Sequence, residues 1–383
     1  MNKYIATVYP YQRAFAPYVS SFARNISCSC EIKTLVSPKG FPYLNKDAGY
    51  VDHRGDTGFT VCTDFLTMLQ QANSLLIPEG DYTIKLYDDI MKKAIIAAQM
   101  GKHILCAQTL KDNDDEQLLS SICRLHQVDF IYARQKGRES SKRFAIHAKN
   151  KISARLYRPE APIVFVGEIY ENTNAKDIVL ILVNHFLASG YKVSVVMEPG
   201  FSQLIGFHGT DEFLDSEAKN EIDSITTINR YFESLEKLEQ PDIILVQVPG
   251  GMMKYNDIIH NSYGVFAYML SQAIAPDCFI CCLPFDEYYS NAIKMYSDLL
   301  NSRFGYSITC AHISNLFIDA SNLTEYFQLD RVFLSQDKIN NYIKESMSDS
   351  EIPIVNSLDH IGQQFLCKRI EETLLSYNDA TAL

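Results

Sequence analysis

The stretch from Ile163 to Val196 contains the residues best suited to bind a phosphate group. An apolar run ends at Gly167, a polar loop follows, and Lys176 opens a segment with apolar residues at helical spacing. A strand, a loop and a helix in this order direct backbone N–H groups and a cation toward an anion at the helix N-terminus. The candidate nucleotide-binding residues of this stretch are Gly167, Asn174, Lys176 and Asp177.

The loop departs from the phosphate-loop pattern G-x-x-x-x-G-K-[ST] in its length and at two positions. Ala175 stands in place of the second glycine, and Asp177 stands where a hydroxyl would hold Mg²⁺. Alanine adopts the positive φ of such a glycine only at a cost, while Glu168 and Glu171 add negative charge that repels a triphosphate. Two interpretations stay open: a site for ATP or GTP with Mg²⁺, or a phosphate-loop fold that binds nucleotide weakly or not at all.

A second candidate lies in the sequence VQVPGGMMKY, residues 246–255. An apolar strand that ends in a polar residue and a Gly-Gly pair can place a metal-facing acid or a turn that senses a terminal phosphate. Gln247 occupies the position of that acid, and it is a poorer Mg²⁺ ligand than aspartate. Gln247, Gly250 and Gly251 are therefore added to the nucleotide-binding candidates; the alternative is a tight turn that leaves the sheet.

The loop SPKGFPYLNKDAGY, residues 37–50, is the most distinctive part of the first half of the chain. Glycines allow close approach of the backbone, and lysines can hold a carboxylate or a phosphate. A charged surface turn is the alternative, but compact domains rarely carry long loops without a role. The candidate substrate-binding residues are Lys39, Gly40, Lys46 and Asp47.

The chain has ten cysteines, and no metal site is expected from them. Cys278, Cys281 and Cys282 lie within one apolar run, and a strand turns successive side chains to opposite faces, so they cannot all reach one metal. Without a recognisable secretion signal, such cysteines indicate reduced thiols and predict a cytoplasmic protein.

Alternating strands and helices with short links predict an α/β protein with two doubly wound domains. Residues 1–134 predict a Rossmann-like domain, and residues 162–383 predict a P-loop NTPase-like domain with a degenerate phosphate loop. Between them, residues 135–161 are basic and begin without an apolar period, which predicts a linker.

Charge and hydropathy exclude two classes of partner. A net charge of −11 argues against general nucleic-acid binding, because neutralising phosphates requires a basic face. No apolar run approaches the ~18–20 residues that span a bilayer, so no membrane association is expected.

The segments ATVYPYQRAFAPY, LVSPKGFPYLNKDAGYVDHRGDTGFTV, ANSLLIPEGD and PDIILVQVPGGMMKYN together resemble a known family. They are similar to the accessory proteins of clostridial peptide maturation systems, which occur beside a radical S-adenosylmethionine maturase and a Cys-rich precursor peptide. This resemblance covers most of the chain.

A more distant likeness concerns the second half. The segment NSYGVFAYMLSQAIAPDCFICCLP and the strand–loop–helix at 163–187 are similar to the P-loop domain of a family that joins a Rossmann-like half to a P-loop half. Some members act in D-amino-acid N-acyl metabolism. Only Gly167 and Lys176 match the phosphate loop of that family.

The resemblances lead to three functional hypotheses. The first is an accessory protein for a ribosomally synthesised, post-translationally modified peptide, which binds the precursor or the maturase and takes a nucleotide as its candidate ligand. The alternative is an ATP- or GTP-dependent ligase or kinase-type enzyme acting on an amino acid or peptide carboxylate. A third hypothesis is a scaffold whose main role is dimerisation, with a homo-oligomer as the assembly.

Overall fold

The computed structural model describes residues 4–22, 30–148, 155–213, 220–288, 291–319 and 329–381. The chain forms two compact units, and each is described by itself. The first comprises Met1–Val51, Gly55–Lys142 and Glu198–Glu212, and the second comprises Asp52–Arg54, Arg143–Met197 and Phe213–Leu383.

The first unit contains a six-stranded parallel sheet. Its strands are β1 Tyr4–Val8, β2 Cys30–Val36, β3 Val61–Cys62, β4 Ser74–Ile77, β5 His103–Cys106 and β6 Phe130–Tyr132. Most positions of the inner strands β1, β4 and β5 are buried, as expected for a parallel sheet covered on both faces, whereas β2 exposes Glu31 and Lys33. The strands lie in the order β3-β2-β1-β4-β5-β6. The order is that of a Rossmann fold, so the predicted Rossmann-like class is confirmed.

Helices follow the strands of the first unit and begin at side chains that cap them. The Thr83 hydroxyl accepts a hydrogen bond from the Leu86 N–H at the start of one helix, and Asp112 accepts from the N–H groups of Asp114 and Asp115 at the start of another. Such caps satisfy N–H groups that lack a partner within the helix. The helices are α1 Ala16–Phe22, α2 Phe65–Gln70, α3 Ile84–Gln99, α4 Asn113–Leu125 and α5 Ala133–Ala148.

The first part of the predicted linker at 135–161 is helical, because α5 extends through residue 148. On the part of this helix that belongs to the first unit, the small residues Ala133 and Gly137 are buried, with basic residues exposed between them. A Cβ atom at Gly137 would lie 2.3 Å from Nε2 of Gln203, so the helix packs closely there. Small residues carry little hydropathy, which is why no apolar period was visible in the sequence.

The second unit has the arrangement of a P-loop domain, with the strand before the phosphate loop in the middle of its sheet. Its strands are β7 Ile163–Glu168, β8 Val193–Met197, β10 Ile243–Gly251, β11 Cys278–Phe285, β12 Cys310–Asp319, β13 Asp330–Phe333 and β14 Ile354–Val355. Strands β11, β7, β10 and β8 run parallel in that order, β12 extends the sheet beyond β11, and β13 pairs with β12 antiparallel. The short β9, His208–Gly209, belongs to the segment grouped with the first unit.

Apolar side chains from these strands and from the neighbouring helices form the core of the second unit. Phe165, Val246 and Phe279 come from adjacent strands, and Phe232 and Leu270 come from helices that pack on them. The helices of the second unit are α6 Ala175–Ala188, α8 Glu221–Glu239, α9 Val265–Ala273, α10 Ala292–Phe304, α11 Gln336–Ser346 and α12 His360–Thr381, and the short α7 Phe201–Leu204 belongs to the segment grouped with the first unit.

The three cysteines of β11 are buried, and Cys281 belongs to this core. Burial raises the pKa of Cys278 to about 12 and raises those of Cys281 and Cys282 as well, so the thiols stay protonated. Among the described residues no group of three or more metal-ligating side chains occurs. None of the described helices is long and apolar enough to cross a membrane.

Asp47 organises the long loop that follows β2. Its Oδ1 accepts hydrogen bonds from the N–H groups of Gly49 and Thr57, at 2.8 and 2.9 Å, and its Oδ2 accepts from the N–H of Gly58 at 2.8 Å. Burial alone would raise the pKa of this carboxyl group, but these bonds and the Thr57 hydroxyl outweigh burial and lower the pKa.

Replacement of Asp47 by asparagine should lower the free energy of unfolding by about 1–2 kcal/mol, because an amide accepts at one atom only. The loss should shrink at acid pH. A carboxyl group with a lowered pKa in the folded state stabilises the fold above its unfolded pKa of 3.8 and loses this effect as the pH falls through its folded pKa. Urea unfolding at pH 7 and pH 3 measures both effects. The exposed Asp56→Asn is the matched control, and an equal loss in both variants would contradict the assignment.

Candidate functional site

The loop between β7 and α6 has the backbone geometry of an anion-binding loop. Glu168 ends β7 and pairs with Gly251 of β10 and Cys282 of β11, so both neighbouring strands fix its backbone. Asn172 and Asn174 have left-handed φ values of 72° and 78°, a conformation that asparagine tolerates better than most residues. Helix α6 then begins at Ala175. The positive φ values that the phosphate-loop pattern expects at a glycine are thus provided by these two asparagines.

The carboxylate of Glu168 occupies the N–H groups of this loop. Its Oε2 accepts a hydrogen bond from the N–H of Asn172 at 2.7 Å, and its Oε1 accepts from the N–H of Ala175 at 2.9 Å. Backbone N–H groups of this kind are the ones that a phosphate-binding loop offers to its ligand. An anion of the chain itself therefore takes the position of a phosphate oxygen.

Asp177 is part of a buried ionic network rather than a solvent-facing metal ligand. Arg54 donates from Nη1 to Oδ1 of Asp177 at 2.5 Å, and the two side chains are only 3% and 6% exposed. The same guanidinium donates from Nε to Oδ1 of Asp52 at 2.9 Å and from Nη2 to Oδ2 at 2.5 Å. The Asn315 amide in turn donates to the backbone carbonyl of Asp52. One buried cation thus compensates two buried carboxylates.

Asn174 is held in place on its side-chain oxygen and on its side-chain nitrogen. Oδ1 accepts hydrogen bonds from the Ser314 hydroxyl and, at 3.4 Å, from His312, while Nδ2 donates to Oδ2 of Asp177 at 3.0 Å. The Ser357 N–H donates to Nδ1 of His312 at 3.0 Å, so the proton of the neutral ring is on Nε2. Burial lowers the pKa of His312 to about 3, and the ring stays neutral.

The three predicted glycines serve close packing. A Cβ atom at Gly167 would lie 2.6 Å from Sδ of Met252, and one at Gly251 would lie 1.9 Å from Nδ2 of Asn261. Gly250 has a φ of 68° at the end of β10. The absence of side chains at these glycines lets the turn after β10 approach the loop. The Asn261 amide holds the two segments together by donating to the carbonyls of Ile169 and Met253, at 3.0 and 2.6 Å.

Gln247 and Lys176 lie where the sequence predicts them. Gln247 is buried on β10 opposite Val166, one residue before Gly167. Lys176 is half-buried in the first turn of α6, beside the N–H groups that Glu168 occupies. The structure therefore brings together the predicted residues of this site: Gly167, Asn174, Lys176, Asp177, Gln247, Gly250 and Gly251.

The four predicted substrate residues of the first unit have different surroundings. Lys39 lines a cavity of about 620 Å³, and Gly40 lies in a turn with a φ of 98°. The ammonium nitrogen of Lys46 lies 3.5 Å from the centre of the Tyr50 ring, and the carboxylate of Asp47 accepts hydrogen bonds from its own loop. Among these four residues, the cavity lining includes Lys39 alone.

Sequence reasoning missed the residues that fill and brace the phosphate loop. Glu168 was recognised as a repelling charge, but not as the occupant of the loop. Arg54, Ser314 and His312 are distant in sequence, and only folding brings them to the loop. A usable signal was the presence of Arg54 between acidic residues in DHRGD, since a partner was needed for the aspartate at 177.

Glu168→Ala should free the loop for an external anion. The N–H of the buried Ala175 loses its acceptor, which should cost about 1–3 kcal/mol in unfolding free energy. Inorganic phosphate should restore part of this loss, so the melting temperature of the variant should rise more with phosphate than that of the wild type. Glu171→Ala is the control, because that carboxylate accepts from the Ser262 hydroxyl and not from the loop N–H groups. An equal phosphate response in all three proteins would refute the assignment.

Arg54→Met should destabilise the second unit by about 3–5 kcal/mol, because two buried carboxylates lose their compensating charge. Chemical denaturation of wild type and variant measures the difference. Lys368→Met serves as the comparison, since it removes an exposed pair with Glu372 that contributes at most about 1 kcal/mol. A loss of similar size in both variants would show that the network around Arg54 contributes little.

Comparison with known proteins finds a similarity of fold and none of sequence family. No family model matches the chain, and no curated protein matches it. Among solved structures, a DUF1611 family protein from Anabaena variabilis ATCC 29413 is similar over 96% of this chain and 99% of its own, with a TM-score of 0.58 and 10% identity. The hydrogenase maturation factor HypB from Archaeoglobus fulgidus aligns over 63% of this chain and 98% of its own, with 7% identity. Its TM-score of 0.29 is too low to indicate a common fold. The chain thus shares its fold with a DUF1611 family protein.

Proposed function

We propose that this chain is an accessory binding protein in the maturation of a ribosomally synthesised, post-translationally modified peptide. In this role it binds the precursor peptide or the radical S-adenosylmethionine maturase and does not hydrolyse nucleotide. The peptide context comes from the sequence resemblance, and the absence of hydrolysis comes from the phosphate loop.

One observation carries the second part of the proposal. The N–H groups of Asn172 and Ala175 donate to the carboxylate of Glu168, so a phosphate must displace an anion that is covalently part of the loop. A tethered carboxylate competes at high effective concentration. Nucleotide binding is weakened by that competition as well as by charge repulsion.

The positions that would handle Mg²⁺ support the same conclusion. Asp177 replaces the metal-binding hydroxyl, and its carboxylate is engaged by Arg54 and Asn174. Gln247 stands in the position of the second-site acid, and a neutral amide is a weak ligand for Mg²⁺. A nucleotide would therefore find neither of the usual groups that orient its metal ion.

The alternative function is a nucleotide-dependent ligase or kinase-type enzyme that acts on an amino acid or peptide carboxylate with ATP or GTP and Mg²⁺. What favours it is the position of Lys176 in the first turn of α6, next to N–H groups suited to an anion. In this alternative Glu168 leaves the loop when the nucleotide enters.

Titration calorimetry together with co-purification separates the two functions. The tagged chain is co-expressed with a Cys-rich precursor peptide and a radical S-adenosylmethionine maturase of the kind that accompanies the family it resembles, and the purified chain is titrated with Mg-ATP and Mg-GTP. We expect one of the two partners to co-purify in stoichiometric amount and no saturable nucleotide binding at millimolar concentration.

Two outcomes would contradict this expectation. Failure of both partners to co-purify would overturn the accessory function. Saturable binding of Mg-ATP or Mg-GTP that Lys176→Ala abolishes would favour the enzyme. A precursor with its cysteines replaced by serine is the matched control for recognition of the peptide, and light scattering on the purified chain gives the number of copies in the assembly.

A further inference from the structure

The first unit has a crevice at the point where the order of its strands reverses. The chain enters the sheet at β1 and proceeds to β2 and β3 on one side and to β4, β5 and β6 on the other. In open α/β sheets, ligands bind outside the carboxyl ends of the strands at this switch point. The cavity of about 620 Å³ lies there, lined by residues that follow β1, β2, β3 and β4. Its volume falls within the range of about 300–1,000 Å³ that small-molecule sites occupy.

The sequence at this crevice does not suit a dinucleotide. A dinucleotide site needs glycines directly after the first strand, so that the backbone can approach the pyrophosphate. Here β1 is followed by Tyr9-Pro10-Tyr11-Gln12, and the first glycine of the chain is Gly40. The side chain of Tyr9 lines the cavity where that glycine-rich turn would lie.

One group of charges on the wall is already compensated. Tyr9 donates its hydroxyl proton to Asp89, and Lys93 donates to Asp89 at 2.5 Å and to the Tyr9 hydroxyl oxygen at 3.1 Å. The ammonium group of Lys93 also lies 4.4 Å from the centre of the Tyr9 ring. This cluster forms a neutral, ordered side of the crevice.

The other charges on the wall are not paired within the described part of the chain. Lys39 and Lys85 line the cavity as exposed cations, and Asp81 lines it as an exposed anion. The salt bridges among the described residues include none of the three. Phe41 and Leu86 add apolar surface to the same cavity. The crevice therefore offers both signs of charge beside an apolar wall.

We propose that this crevice binds a zwitterionic ligand, either a free amino acid or a short peptide. Lys39 and Lys85 hold its carboxylate, Asp81 holds its ammonium group, and Phe41 and Leu86 contact its side chain. A purely anionic ligand such as a phosphate ester meets repulsion from Asp81, whereas a zwitterion satisfies both signs. This ligand deepens the proposed function, and it rests on that function for naming a peptide as one source.

The experiment screens the full chain by thermal shift against the twenty free amino acids and a set of tripeptides, then measures Kd for the strongest binder by calorimetry. Blocking either charge of that ligand, as its N-acetyl or C-amide form, should weaken binding by roughly tenfold or more. The two arms of the screen distinguish a free amino acid from a peptide as the source.

Variants assign each charge to its partner. Lys39→Gln and Lys85→Gln should each weaken binding of the unblocked ligand by roughly tenfold and leave the Kd of its C-amide form unchanged. Asp81→Asn should weaken binding of the unblocked ligand and leave the Kd of its N-acetyl form unchanged. The exposed Lys92→Gln on α3, which does not line the cavity, is the matched control and should bind like the wild type.

The outcomes separate this inference from the proposed function. If no amino acid or tripeptide binds, or if the lysine and aspartate variants bind like Lys92→Gln, the crevice is not the site. If NAD or inorganic phosphate binds there more tightly than any zwitterion, the ligand class is wrong. If the precursor co-purifies equally with all variants, the accessory function stands without this site. If a zwitterion binds as expected but neither precursor nor maturase co-purifies, the site stands without that function.

Discussion

A carboxylate that completes its own anion-binding loop is the interaction on which the second unit is organised. Glu168 ends the central strand, and its side chain accepts the N–H groups that follow it at Asn172 and Ala175. The start of α6 would otherwise present unpaired N–H groups, and the buried one at Ala175 would be costly to leave without a partner. The loop thus keeps the shape of a phosphate site while supplying its own anion.

Further negative charge near the loop is balanced by a residue from a distant segment. Arg54 lies between two buried carboxylates, and its planar guanidinium can bind Asp52 with two nitrogens while reaching Asp177 with a third. A buried ion pair is costly to assemble but more costly to break, because the partner then remains uncompensated. The carboxylate of Asp177 is thereby engaged by Arg54 and Asn174, at the position where a phosphate loop carries its Mg²⁺-binding hydroxyl.

The first unit differs from the second, because its candidate binding site is an open crevice and not a loop filled by a side chain of the protein. Its Rossmann order creates a crevice at the switch point, yet Tyr9 replaces the glycine-rich turn and the wall carries both signs of charge. Asp47, which sequence alone placed beside Lys39 as a substrate residue, instead accepts hydrogen bonds from its own loop. Lys39 is exposed and lines this crevice.

The sequence by itself determined the α/β class, the strand–loop–helix at 163–187 and the positions of Lys176 and Gln247, because apolar periods and loop chemistry are local properties of the chain. It failed at α5, where Ala133 and Gly137 form a buried stripe of small residues with little hydropathy. Only the tertiary structure decided that Glu168 fills the loop and that Arg54 neutralises Asp177. Both depend on the direction of a side chain and on contacts between residues far apart in sequence. A carboxylate has the same composition and spacing whether it repels a phosphate or replaces one.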